Sequence, residues 1–89
     1  MLQIDSYRKS IEEIDKQVAE LFQERMNVVS KIAEYKKINN LPIFDNDREL
    51  ILIKKNRQYI DNPALVEYYE KIFKMFLEVS KQYQEEILK

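Results

Sequence analysis

Ile4, Tyr7, Ile11, Ile14, Val18, Leu21, Arg25, Val28, Ile32 and Tyr35 are separated by alternating steps of three and four residues. That spacing is a heptad seam of about five repeats, and it predicts one uninterrupted helix over residues 4–39. Asp5 or Ser6 can cap its start. Asn39-Asn40 followed by Leu41-Pro42 ends it, because Asn tolerates a left-handed backbone and Pro blocks continuation. A short loop, "NLPIFD", covers 40–45. "NDRE" then places Glu49 three residues after Asn46, the pattern of a capping box, and a second helix follows through "LILIKKNRQYI". "DNP" at 61–63 is a break and a new start, with Asn62 as cap and Pro63 as first helical residue. The third helix runs from about Ala64, with a seam of Leu65, Tyr69, Ile72, Phe76, Val79 and Tyr83. The expected fold is all-α: a very long first helix, a short middle helix and a C-terminal helix, in one domain over 1–89.

Length decides how such helices are assembled. A helix of about 35 residues is over 50 Å long. A compact globule of 89 residues has a radius of gyration near 12 Å. One chain cannot wrap that first helix, so the expectation is an intertwined homodimer in which fold and oligomer are inseparable.

Composition narrows the chemistry. The chain has no Gly, Cys, His or Trp and two Pro. Tight turns needing positive φ are therefore few. Disulfides and thiolate metal sites are excluded, a zinc site is not expected, and nucleophiles activated by histidine are impossible. A net charge of −1 gives no general attraction to nucleic acid or to an anionic membrane. There is no apolar run of 18 residues, so the chain reads as soluble and cytoplasmic.

The polar residues that interrupt the helical stripes carry the functional signal. Arg25 occupies a seam position. It either sets register in a dimer, as a buried polar residue can, or waits for an anion, because an unpaired buried charge costs several kcal/mol. Lys36 lies three turns later, facing nearly the same way about 16 Å along the axis. The two long cationic side chains leave a gap sized for a small dianion. Alternatively, Lys36 is a solvated helix-end residue that complements the dipole. Arg8 is about 25 Å from Arg25 and cannot reach the Arg25 site of its own chain. It can reach a partner's if the long helices cross, or it pairs locally with Asp5 or Glu12. Ser80 and Gln84 are an i, i+4 pair in line with Leu77, either lining a pocket or solvated. Asp45, Arg48 and Glu49 surround a helix N-terminus, where free amides bind polar groups, although capping accounts for Asn46 and Glu49 equally well. Together Arg25, Lys36, Arg8, Asp45, Glu49, Gln84 and Ser80 describe a pocket of three cations, two carboxylates, an amide and a hydroxyl. It can orient and polarise a substrate without reacting covalently.

"YRKSIEEID", "ERMNVVSKIAEYK", "LPIFDNDRE" and "FLEVSKQYQ", in that order and at those separations, resemble the all-helical (type II) chorismate mutases over essentially the full chain. The resemblance implies an interlocked three-helix dimer that converts chorismate to prephenate by a Claisen rearrangement, without cofactor or metal, in phenylalanine and tyrosine biosynthesis. It further implies that Arg25 holds the side-chain carboxylate and that Arg8 of the partner subunit holds the ring carboxylate. Lys36 would bond a carboxylate and the ether oxygen, and Gln84 would donate to the same oxygen. Glu49 and the backbone around Asp45 would bind the ring hydroxyl, Ser80 would stand at the ring carboxylate, and Arg48 would support. An isochorismate-pyruvate lyase on the same fold is the competing enzyme, against which Asp45 and Glu49 argue. A helical module that only binds partners explains the heptads but needs neither Arg25 in the seam nor Gln84. The resemblance fits a free-standing enzyme and a domain fused to a dehydratase, dehydrogenase or synthase alike.

Overall fold

A computed structural model of the chain describes residues 3–89. The first helix, α1, spans Gln3–Ile38; α2 spans Asn46–Gln58; a single 3-10 turn, Pro63–Leu65, leads into α3, Val66–Ile87. The described residues form no strand, so the architecture is all-helical with three helices. Among the described residues no helix is long and apolar enough to cross a membrane.

Local chemistry sets each boundary. α1 ends where Asn40 adopts φ 55°, a left-handed conformation that Asn tolerates better than other residues with a side chain. The Leu41 amide then donates to the Lys36 carbonyl at 2.8 Å, satisfying a carbonyl that the helix end leaves free. At the start of α2 the cap is Asp45, not Asn46. Asp45 is extended, at φ −136° and ψ 96°, and its side chain accepts from the Arg48 amide. A carboxylate at the positive end of a helix is favoured by both hydrogen bonding and the macrodipole. Glu49 consequently turns away from the cap and pairs with Lys81. Asn62 caps as its sequence predicts, accepting from the Ala64 amide at 3.0 Å, although the first turn is 3-10 and α3 begins only at Val66.

α3 packs against both α1 and α2 and is the element through which they meet. The buried side chains are Val29 and Ala33 of α1 and Phe73, Leu77, Ser80 and Gln84 of α3. On α3 the buried stripe lies one position round from the seam expected through Ile72 and Tyr83, both of which remain exposed. Phe73 and Phe76 meet edge to face at 6.5 Å, and Phe22 reaches Phe76 at 6.4 Å. Arg57, in the last turn of α2, forks to Glu67 at 2.8 Å and Glu70 at 2.9 Å on α3. Its hydrogen bond holds the Glu70 carboxyl below the usual carboxylate range.

The α1 seam is left open. Ile4, Tyr7, Ile11, Ile14, Val18, Leu21, Val28, Ile32 and Tyr35 are all exposed, Leu21 at 63%. The chain measures 57 × 26 × 15 Å with a radius of gyration of 16.5 Å, against about 12 Å for a compact domain of this length. Its accessible surface is 7507 Å², where a folded monomer of this mass exposes about 5,600 Å².

Candidate active site

Three elements and one loop converge on a cavity of about 240 Å³ lined by Arg25, Val29, Ile32 and Lys36 of α1, Ile43, Asp45, Arg48, Glu49 and Leu52 of the loop and α2, and Leu77, Ser80 and Gln84 of α3. The helical periods explain the convergence. Arg25, Val29, Ile32 and Lys36 fall on one face of α1, and Leu77, Ser80 and Gln84 on one face of α3. The turn after α1 folds the loop back so that α2 closes the third side.

Each polar group has a distinct environment. Arg25 lies half-buried, and its Nη1 donates to the Ser80 hydroxyl, which itself donates to the Phe76 carbonyl at 2.7 Å. The guanidinium also stands 5.8 Å from the centre of the Phe76 ring. Burial pulls its pKa below the ordinary arginine value, only partly offset by Tyr69, yet a guanidinium stays protonated throughout the working pH range. Among the described residues no carboxylate pairs with Arg25. Lys36 Nζ donates to the Ile43 carbonyl at 2.8 Å, which ties the loop to α1 and leaves two ammonium hydrogens free. One oxygen of the Asp45 carboxylate, Oδ1, is engaged at its cap by the Arg48 amide at 3.1 Å.

Gln84 is 6% exposed, and its amide oxygen is buried with no hydrogen-bond partner among the described residues. Leaving such a group unsatisfied costs about 1–3 kcal/mol. The orphaned atom is an acceptor, open to a donor from a ligand. The lining carries three cations, Arg25, Lys36 and Arg48, and two carboxylates, Asp45 and Glu49, an excess of one positive charge.

Arg8 is placed elsewhere. It lies near the far end of α1, 3.8 Å from Asp5, with its side chain 70% exposed. The cavity does not include it. The group that sequence reasoning missed is Lys81. Its Nζ lies 3.2 Å from Glu49 and 3.4 Å from Glu78, and 4.6 Å above the Phe44 ring. A lysine in an α3 that presents charges on several faces gives no periodic signal. Its position beside Ser80 and three residues before Gln84 was the available clue.

A larger apolar groove, about 450 Å³, opens between α1 and α3 and is lined by Val18, Leu21, Phe22, Arg25, Tyr69, Ile72 and Phe76. Arg25 is the single charged group it shares with the polar cavity, so the convergent chemistry belongs to the smaller space. Among the described residues no group of acidic, His or Cys side chains could hold a metal ion.

Comparison with known proteins gives a consistent result. The family model described as chorismate mutase type II matches residues 7–85. A bifunctional chorismate mutase/prephenate dehydratase of Buchnera aphidicola subsp. Schizaphis graminum (strain Sg) is 36% identical over 84 residues, covering 93% of this chain and 22% of the relative. The protein of the same description from Buchnera aphidicola subsp. Acyrthosiphon pisum (strain APS) is 34% identical over 87 residues, with the same coverage of both chains. The chain thus spans about a fifth of the length of these relatives.

Proposed function

The chain belongs to the type II chorismate mutase family, and on that premise we propose that it rearranges chorismate to prephenate in the polar cavity between its helices. The observation that carries the reading is the cavity's donor set. Arg25, which pairs with no carboxylate among the described residues, Lys36 and the Gln84 side-chain amide, whose Nε2 is its donor, line one space, with no imidazole or thiol anywhere in the chain.

Chorismate is a dicarboxylate with a ring hydroxyl and an enol-ether oxygen. Arg25 clamps its side-chain carboxylate, with Ser80 fixing the guanidinium and standing at the ring carboxylate. Glu49 accepts from the ring hydroxyl, joined by the backbone around Asp45, and Arg48 supports. The clamp holds the flexible side chain folded over the ring, a proximity effect. The C–O bond breaks ahead of C–C formation, so negative charge builds on the ether oxygen. Lys36 and Gln84 donate to that charge as preorganised groups, which is where electrostatic stabilisation is largest. A rate enhancement of even 10⁶-fold, about 8 kcal/mol, draws on both contributions.

The active assembly is an intertwined homodimer, with Arg8 of the partner subunit completing the site at the ring carboxylate. The exposed seam of α1, the apolar groove beside it and an accessible surface about 1,900 Å² above that of a typical monomer support this. Residues 1–89 act as one catalytic domain, and the compartment is the cytoplasm. Loss of chorismate absorbance with appearance of prephenate tests the reading. A folded dimer that leaves chorismate unchanged, or that releases pyruvate from isochorismate instead, overturns it.

A further inference from the structure

Lys81 does not line the cavity, yet its ammonium binds a carboxylate that does. The Lys81 and Glu49 side chains are 22% and 21% exposed and sit 3.2 Å apart. By contrast the Arg8–Asp5 pair at the other end of the molecule is 70% and 53% exposed. A withdrawn pair of this kind is far less screened than a surface pair. Burial alone would lower the Lys81 pKa, but hydrogen bonds and charge from Glu49 and Glu78 outweigh it and hold the group above its ordinary value. It is an ammonium at every working pH.

The ammonium is also fully engaged. Glu49 and Glu78 take it from the side, and the Phe44 ring lies under it at 4.6 Å. No donor is left pointing at a substrate, so Lys81 must act through Glu49. Consider the charges that face Glu49: Lys36 from α1, Asp45 from the loop, Arg48 from its own helix, and Lys81 with Glu78 from α3. Without Lys81 the remaining cations near Glu49 are Lys36 and Arg48. Glu49 would then turn inward onto cations that a dianionic substrate needs.

We propose that Lys81 is a positioning residue that holds Glu49 at the edge of the cavity as an oriented, ionised acceptor for the substrate's ring hydroxyl, and keeps that carboxylate off Lys36 and Arg48. This inference rests on the mutase reading of the cavity and adds to it the group that sets ring-hydroxyl recognition. Through Phe44 the same ammonium ties α3 to the loop that carries Ile43, the carbonyl to which Lys36 is anchored.

The test is Lys81→Met, which keeps the apolar stem and removes the charge, compared with Lys81→Arg and with both Glu49→Gln and the Glu49→Gln/Lys81→Met double variant. Lys81→Met raises the KM for chorismate about tenfold with kcat within about twofold, since the lost contact acts on binding. Lys81→Arg restores the KM. In the Glu49→Gln background, Lys81→Met adds nothing, because no carboxylate remains to hold. A KM unchanged in Lys81→Met, or an equal further loss in the double variant, overturns the proposal. A second readout is independent of activity. In carbon-13 NMR of labelled glutamate side chains at one fixed pH, the Glu49 carboxyl resonance of Lys81→Met is displaced from its position in the parent. If the parent proves inactive while this shift is present, the mutase reading fails and the Lys81–Glu49 coupling stands. A Glu49 carboxyl resonance that Lys81→Met leaves unmoved removes the coupling whatever the activity. If Lys81→Met does not fold, Lys81→Gln carries the same comparison.

Discussion

The two halves of α1 are one continuous helix with opposite surroundings. From Gln3 to Glu24 every residue is exposed, apolar ones included. From Arg25 onward the helix buries Val29 and Ala33 against α3 and places Arg25 and Lys36 around a cavity. The contrast is sharpest between two arginines. Arg25 is half-buried, held by Ser80 and paired with no carboxylate among the described residues, whereas Arg8 stands in solvent beside Asp5. The second half folds on its own chain and builds the site. The first half carries an equally regular apolar stripe that stays exposed, with α3 reaching only its end through Phe22 and Phe76, and such a stripe is the surface on which the proposed dimer rests.

The largest effect separates the halves by association. Val18→Asp places a charge in the open seam, and two-fold symmetry places two in a dimer. Burying unpaired charges costs several kcal/mol. The expected result is loss of the dimer and of all activity, read by light scattering and circular dichroism. In the other half, Val29→Ala should lower stability by about 1–3 kcal/mol through lost packing while the protein remains dimeric. A folded, active monomer of Val18→Asp would erase the distinction.

The arginines come next. Arg8→Ala and Arg25→Ala should each lose at least about 100-fold in kcat/KM, the usual scale for removing a charged donor from a preorganised site. Mixing and refolding the two variants should recover about a quarter of the parent's sites, because half the dimers are mixed and each of these has one intact site. If no activity returns, Arg8 does not act across the dimer.

Gln84 gives a pH-dependent effect confined to the second half. The chain has no His or Cys, so nothing in the site titrates by default between about pH 6 and 9, and the parent should be nearly flat there. An amide donates N–H at any pH, but a glutamate donates only when protonated. Gln84→Glu should therefore be active in acid and fail as pH rises. Burial raises the new carboxyl's pKa, while Arg25 and Lys36 oppose that rise. A variant that tracks the parent across this range would remove Gln84 from the ether oxygen.

How much of this was legible in the sequence differs by region for physical reasons. The three helices, the Asn40 turn and the Asn62 start follow from period and local capping, which depend on nearby residues alone. The shift of the α2 cap from Asn46 to Asp45 turned on a competition between adjacent caps, where charge at the helix end decides. The seam of α1 was legible because it repeats. The buried stripe through Val29 and Ala33 was not, because Ala33 is small and Ser30 interrupts it. Arg25, Lys36, Ser80 and Gln84 stood out as polar residues in or beside apolar rows. Lys81 did not, since its meaning comes only from Glu49, which is 32 residues distant in the chain and adjacent in space.

The smallest effect asks whether Arg8 has a partner of its own. Asp5 lies 3.8 Å from it, and the two side chains are 53% and 70% exposed. An exposed i, i+3 pair is worth at most about 0.5 kcal/mol and is screened by salt. Asp5 also sits in the first turn of α1, where a negative charge interacts favourably with the helix dipole by a similar amount. Asp5→Asn should therefore cost at most about 1 kcal/mol of stability, seen as a shift of a few degrees in Tm at low salt that shrinks at high salt. Its activity should stay within about twofold of the parent if, as proposed, the arginine alone binds a carboxylate in the partner's site. If Asp5→Asn instead lost activity on the scale of Arg8→Ala, the ion pair would be holding Arg8 in place. The open half of α1 would then contain a preorganised site of its own, and the contrast between the two arginines would be one of partner rather than of burial.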